Sequence, residues 1–365
     1  MLKRLYIDNF RCFVNFEYKP ESKQLLLGAN GSGKSSLLEV VRLLKEFIKG
    51  RDIPFSQSSR TRWQDRPLQV FEIEALISEQ LFFYRVEIGY SSNSKEPSVG
   101  RERLSVDGIT VFEFEGGEIR TRQKGEEEAV FPRGDASESS LHFASYSNPQ
   151  VLSFLKWMST VHSFKIDAYE GKMEEVADAA ISVPDWEMEN IASWYRYLLE
   201  ADPSGNDGFR ASIREVLPGF LNLRFSSEDD GVRKLRADFS LSGRGKLTVS
   251  LKELSDGQRC LIALYMILHF LVSKGHTVFI DEPDNFISLR EIQPWLLQAE
   301  VTAVDNNGQL ILISHHPEIL NQWAQECGLR FFREENGHVR TEPFRPDPDG
   351  VLQPSELISR GWENE

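Results

Sequence analysis

The chain has 365 residues, 40% hydrophobic and 27% charged, enough to bury a substantial core and consistent with two subdomains. Its 42 Lys and Arg stand against 56 Asp and Glu, a net charge of −14, which argues against a generally basic, DNA-coating surface but leaves room for a local basic groove. Three widely spaced cysteines, Cys12, Cys260 and Cys327, make no disulfide or zinc framework and suit a reducing compartment, with core packing as their role. The opening Met-Leu-Lys-Arg is no secretory signal, and the longest apolar run, residues 260–272, is too short to cross a bilayer, so a cytoplasmic location without a membrane partner is expected.

Residues 5–16 read as an opening strand bent at Asp8-Asn9. Residues 24–27 read as a short buried strand, and residues 37–48 carry apolar side chains at helical spacing. Between them lies Gly-Ala-Asn-Gly-Ser-Gly-Lys-Ser-Ser, residues 28–36. Gly28, Gly33, Lys34 and Ser35 occupy the fixed positions of G-x-x-x-x-G-K-[ST], in the strand–loop–helix setting that this pattern needs. Glycines let backbone amides close around phosphate oxygens, and a helix start adds partial positive charge. Lys34 would reach the β- and γ-phosphates, and the Ser35 hydroxyl would bind Mg²⁺. A nucleoside triphosphate is therefore the expected ligand.

Residues 50–67 read as a polar loop bearing Arg51, Arg60, Arg62 and Arg66. Two alternating runs, 68–77 and 81–90, flank Ser78-Glu79-Gln80 as a hairpin, and a second pair, 109–114 and 118–121, turns at Gly116-Gly117. Residues 123–150 are poor in order signals and mark a boundary. Helices are expected over 151–161, 187–200 and 209–217, and strands over 221–225 and 234–241. No heptad pattern persists, so long coiled-coil arms are not expected.

Leu254-Ser255-Asp256-Gly257-Gln258 precedes an apolar helix, 259–272. This start is either a second anion-binding loop or a plain N-cap in which Gln258 completes a capping box. Residues 277–282, Thr-Val-Phe-Ile-Asp-Glu, read as a buried parallel strand delivering two acids at its C-terminal end. Asp281 would hold Mg²⁺, and Glu282 would orient and deprotonate an attacking water, the alternative being a solvated strand end. Residues 309–313 form another apolar strand, followed by Ser314-His315-His316-Pro317. A histidine there contacts the γ-phosphate or the water, or is simply a surface residue. The remaining histidines lack zinc-ligand spacing.

These motifs, in this order, resemble the ABC-type ATPases, and within them the SMC/RecF/Old-type branch. The segment Ile7-Asp8-Asn9-Phe10-Arg11-Cys12-Phe13 is similar to that branch's start, and the loop resembles its G-x-N-G-[SA]-G-K-[ST]. The resemblance implies an α/β fold, a P-loop ABC-type ATPase head with antiparallel β hairpins in lobe one and an inserted α+β subdomain. Its expected bounds are lobe one at 1–125, a mainly helical insertion at 126–245, lobe two at 246–345 and a tail at 346–365.

By the same resemblance, Asn30, Gly31, Ser32, Gly33, Lys34, Ser35 and Ser36 hold ATP, Ser35 and Asp281 hold Mg²⁺, and Glu282 and His315 are catalytic. His315 is preferred to His316 because Ser314–Pro317 is similar to the T-H-S-P of Old-type ATPases. Ser255, Gly257 and Gln258 match the signature loop that contacts ATP bound to an opposite subunit. The segment Ile287-Ser288-Leu289 departs from the family's usual continuation. The Q-loop glutamine is open among Gln57, Gln64, Gln69, Gln123 and Gln150. An armless head with no following nuclease domain is expected, working as a homodimer or higher oligomer. It would be an ATP-gated switch on a separate nuclease or toxin, in anti-phage defence. The alternatives are a RecF-like DNA-binding repair ATPase and an ATP-bound scaffold with little turnover. DNA would meet Arg51, Arg60, Arg62 and Arg66, or Arg101, Arg103, Arg120, Arg122 and Lys124.

Overall fold

The computed structural model describes residues 1–90, 96–122, 129–133, 136–169, 171–227, 232–241, 245–347 and 349–361. Its strands and helices run in the following order. β1 (Leu2–Asp8), β2 (Phe16–Tyr18) and β3 (Lys23–Leu27) lead into α1 (Lys34–Ile48). Then come β4 (Leu68–Ile77), β5 (Gln80–Tyr90), β6 (Pro97–Val106), β7 (Ile109–Glu115), β8 (Glu118–Thr121) and β9 (Ala129–Pro132). Next are α2 (Leu141–Ala144), α3 (Pro149–Ser159), β10 (Val161–Phe164), α4 (Ile191–Ala201) and α5 (Pro203–Val216). They are followed by β11 (Phe220–Ser227), β12 (Arg233–Leu241), β13 (Gly245–Ser250), α6 (Asp256–Phe270) and β14 (Thr277–Asp281). The last are α7 (Leu289–Asp305), β15 (Gln309–Ile313), α8 (Pro317–Cys327), β16 (Gly328–Arg333), β17 (Val339–Pro343) and α9 (Pro354–Arg360). The chain divides into two compact units, Met1–His162 with Cys327–Phe344, and Ser163–Glu326 with Arg345–Glu365.

In the first unit, eight strands form an antiparallel sheet in the order β2-β1-β4-β5-β6-β7-β8-β9. Three of its hairpins close on two residues with positive φ: Ser78-Glu79, Asp107-Gly108 and Gly116-Gly117. That geometry matches the right-handed twist of the strands it joins. The expected hairpins at 68–90 and 109–121 are present. The strand between them, β6, was not read from the sequence, because Arg101-Glu102-Arg103 breaks its apolar alternation. Glu102 is fully buried; it accepts hydrogen bonds from Tyr84 Oη at 2.8 Å and from Ser140 N at 2.7 Å. Burial pushes its carboxyl above the usual range, and those donors work the other way.

Also in the first unit, β3 pairs in parallel with β16, which pairs antiparallel with β17. All five residues of β3 are buried, which explains its unbroken Leu25-Leu26-Leu27 run. α1 lays Leu37, Leu38, Val41, Leu44 and Ile48 inward. So is Lys45, whose Nζ donates to Val161 O at 2.5 Å and lies 3.3 Å from His162 Nδ1.

In the second unit, β11, β12 and β13 form a three-stranded antiparallel sheet. β14 and β15 pair in parallel with Asp281 opposite Ile313, and both are wholly buried. α6 is buried on nearly every side from Arg259 to Leu268, so its apolar content is continuous rather than striped. α7 was not read as a helix. Pro294 lies inside it, and its apolar positions fall on two faces. β13, β16 and β17 were missed for shortness and charge. No helix among the described residues is long and apolar enough to cross a membrane.

Burial lowers the Lys45 ammonium to about 7, far below an unfolded lysine. Between about pH 7 and 10 the unfolded chain then binds the extra proton, so stability should rise with pH in that window. Lys45→Met should flatten this rise in urea midpoints measured at pH 7, 8.5 and 10.

Candidate functional site

The first unit holds the glycine loop. Gly28, Gly31 and Gly33 have φ of 131°, 79° and 110°, values that only glycine adopts without strain. A Cβ at Gly28 would overlap the Phe331 carbonyl oxygen of β16, and one at Gly33 would sit 3.0 Å from Cys12 Sγ. Arg333 donates through Nε and Nη2 to Gly31 O at 2.9 and 2.7 Å, and Lys34 Nζ donates to Gly28 O at 2.5 Å. Asn30, Gly31 and Ser35 are exposed, Ser36 is half-buried, and Ser32 and Lys34 are buried. Gly33 N-caps α1 with no side-chain cap, and its first turn carries no acid. α6 and α7, by contrast, start with complete capping boxes. The buried Ser32 Oγ has no hydrogen-bond partner. An uncapped helix start, a lysine and an orphaned hydroxyl fit a phosphate chain.

Beside this loop, Gln57, Arg60, Arg62, Trp63, Gln64 and Asp65 line a cleft of about 570 Å³. Two links tie it to the glycine loop. Arg11 N donates to Ser59 O at 2.7 Å, next to the Cys12-Phe13 pair that packs on Gly33. The β16–β17 hairpin carries Arg333 at one end and, at its turn, Gly337 packed on the Trp63 ring. The buried Asn9, φ 62°, donates to Arg66 O and Leu68 O at 2.8 Å each, holding the loop in place. In sequence, residues 50–67 read as a loop, and Trp63 between Arg62 and Arg66 is the signal there for this cleft.

In the second unit, Ser255 N-caps α6. Its Oγ accepts from Gln258 N at 3.3 Å, and Gln258 Oε1 accepts from Ser255 N at 3.0 Å. The capping box is real, and it leaves Ser255 exposed at a helix start. Arg259, unremarked in the sequence, is buried and ties the loop together. It donates to Leu254 O at 2.7 Å, Lys252 O at 3.0 Å and Ala168 O at 3.0 Å, and it pairs with Asp256. Gly257 abuts the loop after β14, where a Cβ would lie 2.6 Å from Phe286 O.

β14 and β15 bring their C-terminal ends together. Asp281 is buried and Glu282 is half-buried with φ 52°. Glu282 N donates to Ile313 O at 2.8 Å, and its Oε2 accepts from Asn285 Nδ2 at 3.0 Å. Ser314 Oγ donates to Asp284 Oδ1 at 2.6 Å. His316 Nδ1 accepts from Glu318 N at 3.3 Å, so that ring serves the start of α8, while His315 is exposed. Ser288 and Glu291 cap α7, and Ile287 is buried, so the departing segment 287–289 is a helix start.

No group of three or more His, Cys, Asp or Glu among the described residues is placed to hold a metal ion. Hydroxyl and carboxylate oxygens completed by phosphate and water are the donors Mg²⁺ takes, so Ser35 and Asp281 fit it in kind. Half of the described candidate arginines are ion-paired. Arg51 pairs with Glu46, Arg66 with Asp8, Arg101 with Glu113 and Arg120 with Glu118, while Lys124 lies outside the described residues. Among the glutamines, Gln69 is buried and donates to Asn9 O at 2.9 Å, a structural task, and Gln123 is outside the described residues.

A family model described as "AAA domain, putative AbiEii toxin, Type IV TA system" matches residues 25–321. No curated protein matches the chain in sequence. Among solved structures, an SMC head bound to the C-terminal winged-helix domain of ScpA is similar in fold. It is 13% identical, covers 93% of this chain and 97% of that one, and has a TM-score of 0.56. An SMC head domain with an extended coiled coil, bound to the C-terminal domain of ScpA derived from Pyrococcus furiosus, is also similar. It is 10% identical, covers 100% of this chain and 99% of that one, and has a TM-score of 0.53.

Gly28→Ala should displace β16 or the loop and cost about 2 kcal/mol or more through strain and overlap. A urea midpoint unchanged from the parent would refute this.

Proposed function

The chain belongs to the family described as "AAA domain, putative AbiEii toxin, Type IV TA system" and is an ATPase of the SMC/AAA type, and from that premise we propose that it is an ATP-gated dimer switch. The observation that carries the reading is the uncapped start of α1 beneath three left-handed glycines, with buried Lys34 and the orphaned Ser32 hydroxyl. ATP would lie along residues 30–36, its base directed to the Trp63 cleft, where an indole face suits stacking. Bound Mg²⁺, held by Ser35 and Asp281, would neutralise phosphate charge. Glu282 would accept a proton from the water that attacks the γ-phosphorus, giving ADP and phosphate, while His315 contacts the γ-phosphate or that water.

The start of α6, with exposed Ser255 and half-buried Gly257 and Gln258, would meet ATP held by a second copy, with Arg259 keeping that loop in shape. Loss of the γ-phosphate would release the clamp. The lobes would run 1–125, 126–245 and 246–345, with a tail at 346–365. The family's toxin description and the partner-bound SMC heads support an output through a separate effector protein, a nuclease or toxin, in defence. The net charge of −14 and the ion pairs at Arg51, Arg66, Arg101 and Arg120 weigh against the RecF-like DNA-binding alternative.

Glu282→Gln should keep ATP binding, lose at least about 100-fold in turnover and accumulate a dimer with ATP on light-scattering chromatography. A monomer with ATP would sink the sandwich. ATP release of phosphate no faster than the Lys34→Ala control would instead leave the scaffold reading, to which the helix-start role of residues 287–289 lends support. Trp63→Ala should weaken nucleotide affinity about 5- to 30-fold with turnover at saturation unchanged.

A further inference from the structure

α7 carries a second apolar face that none of the described residues covers. Its inner face, Ile292, Trp295, Leu296, Ala299 and Ala303, is buried. Its outer face exposes Leu297 at 55%, Val301 at 59% and Val304 at 59%. At 100° per residue these three fall within one narrow stripe. Arg290 lies on the same stripe at its N-terminal end, and exposed Asp305 closes the other end.

The charges are placed against the helix's own preference. A cation in the first turn and an anion in the last both oppose the macrodipole, which favours the reverse. Neither residue has an ion-pair partner within the described chain. What does satisfy the arrangement is another helix of the same sequence running antiparallel. Arg290 and Asp305 lie equally far from the point between Leu297 and Gln298. A two-fold axis there sets Arg290 of each copy beside Asp305 of the other and Leu297 against its own counterpart. It also lays each helix end beside the opposite pole of its neighbour. This is the self-complementarity that an isologous contact requires.

We propose that the outer face of α7 is a homotypic interface, pairing two copies of this chain through antiparallel helices independently of nucleotide. α7 has 17 residues and spans about 25 Å, so the contact is small and the association weak. It is separate from the ATP sandwich and does not rest on it. Used together, the two contacts would join copies into assemblies larger than a dimer.

The test is sedimentation equilibrium of the full chain without nucleotide, in a Lys34→Ala background, from about 1 to 200 μM. A reversible monomer–dimer equilibrium is expected. Val301→Glu should raise Kd at least tenfold with the melting temperature unchanged. Arg290→Asp and Asp305→Arg should each weaken association about tenfold, and the two together should restore it to within about threefold. Each reversal agrees with the macrodipole, so neither threatens the helix. A monomer at every concentration, a dimer indifferent to Val301→Glu, or a double reversal no better than the single ones would each overturn the proposal. Capture of a different protein on this face without self-association would overturn it as well.

Discussion

The carbonyl oxygen of Phe331 fills the space a side chain at residue 28 would need. The rest of the first unit's working surface follows from that close approach. With Gly28 pressed against β16, the chain must leave β3 at φ 131° and turn within a few residues into α1. The same strand that imposes the contact supplies Arg333, which holds the Gly31 carbonyl, and continues to Gly337 at the edge of the Trp63 cleft. One strand thus sets the height, tilt and flank of the loop. The amides at the start of α1 carry no side-chain cap.

The second unit follows the same logic with different parts. Close backbone approach recurs at Gly257 and Phe286, and a buried arginine, Arg259, takes the role of gathering loop carbonyls. Both devices fix a helix start through contacts to main-chain oxygens. That suits loops whose exposed groups must keep their positions while being open to a partner. Buried guanidinium contacts of this sort are costly to break, since the charge is left without compensation.

Much of this was legible in residue order. The loop at 28–36, the hairpins at 68–90 and 109–121, and the strands leading to Asp281 and Ser314 announce themselves through spacing, because each needs a residue type that few contexts tolerate. What stayed hidden was set by tertiary contacts. β6 reads as a charged stretch until Glu102 is seen accepting from Tyr84 and Ser140 across the fold. α7 reads as no helix because its apolar residues serve two faces and Pro294 sits inside it. Arg259 looks like any helix-start charge until the carbonyls around it are counted. The cleft at Trp63 depends on Gly337, far away in sequence.

Glu282 N is bonded to Ile313 O, and Asp284 accepts from Ser314, so the ends of β14 and β15 are stitched on both sides of the acids. Two wholly buried parallel strands joined this way behave mechanically as one beam. The main chain that carries Asp281 and Glu282 is thereby tied to the 313–314 segment. A shift of either strand along its length would therefore be felt at the backbone of the other.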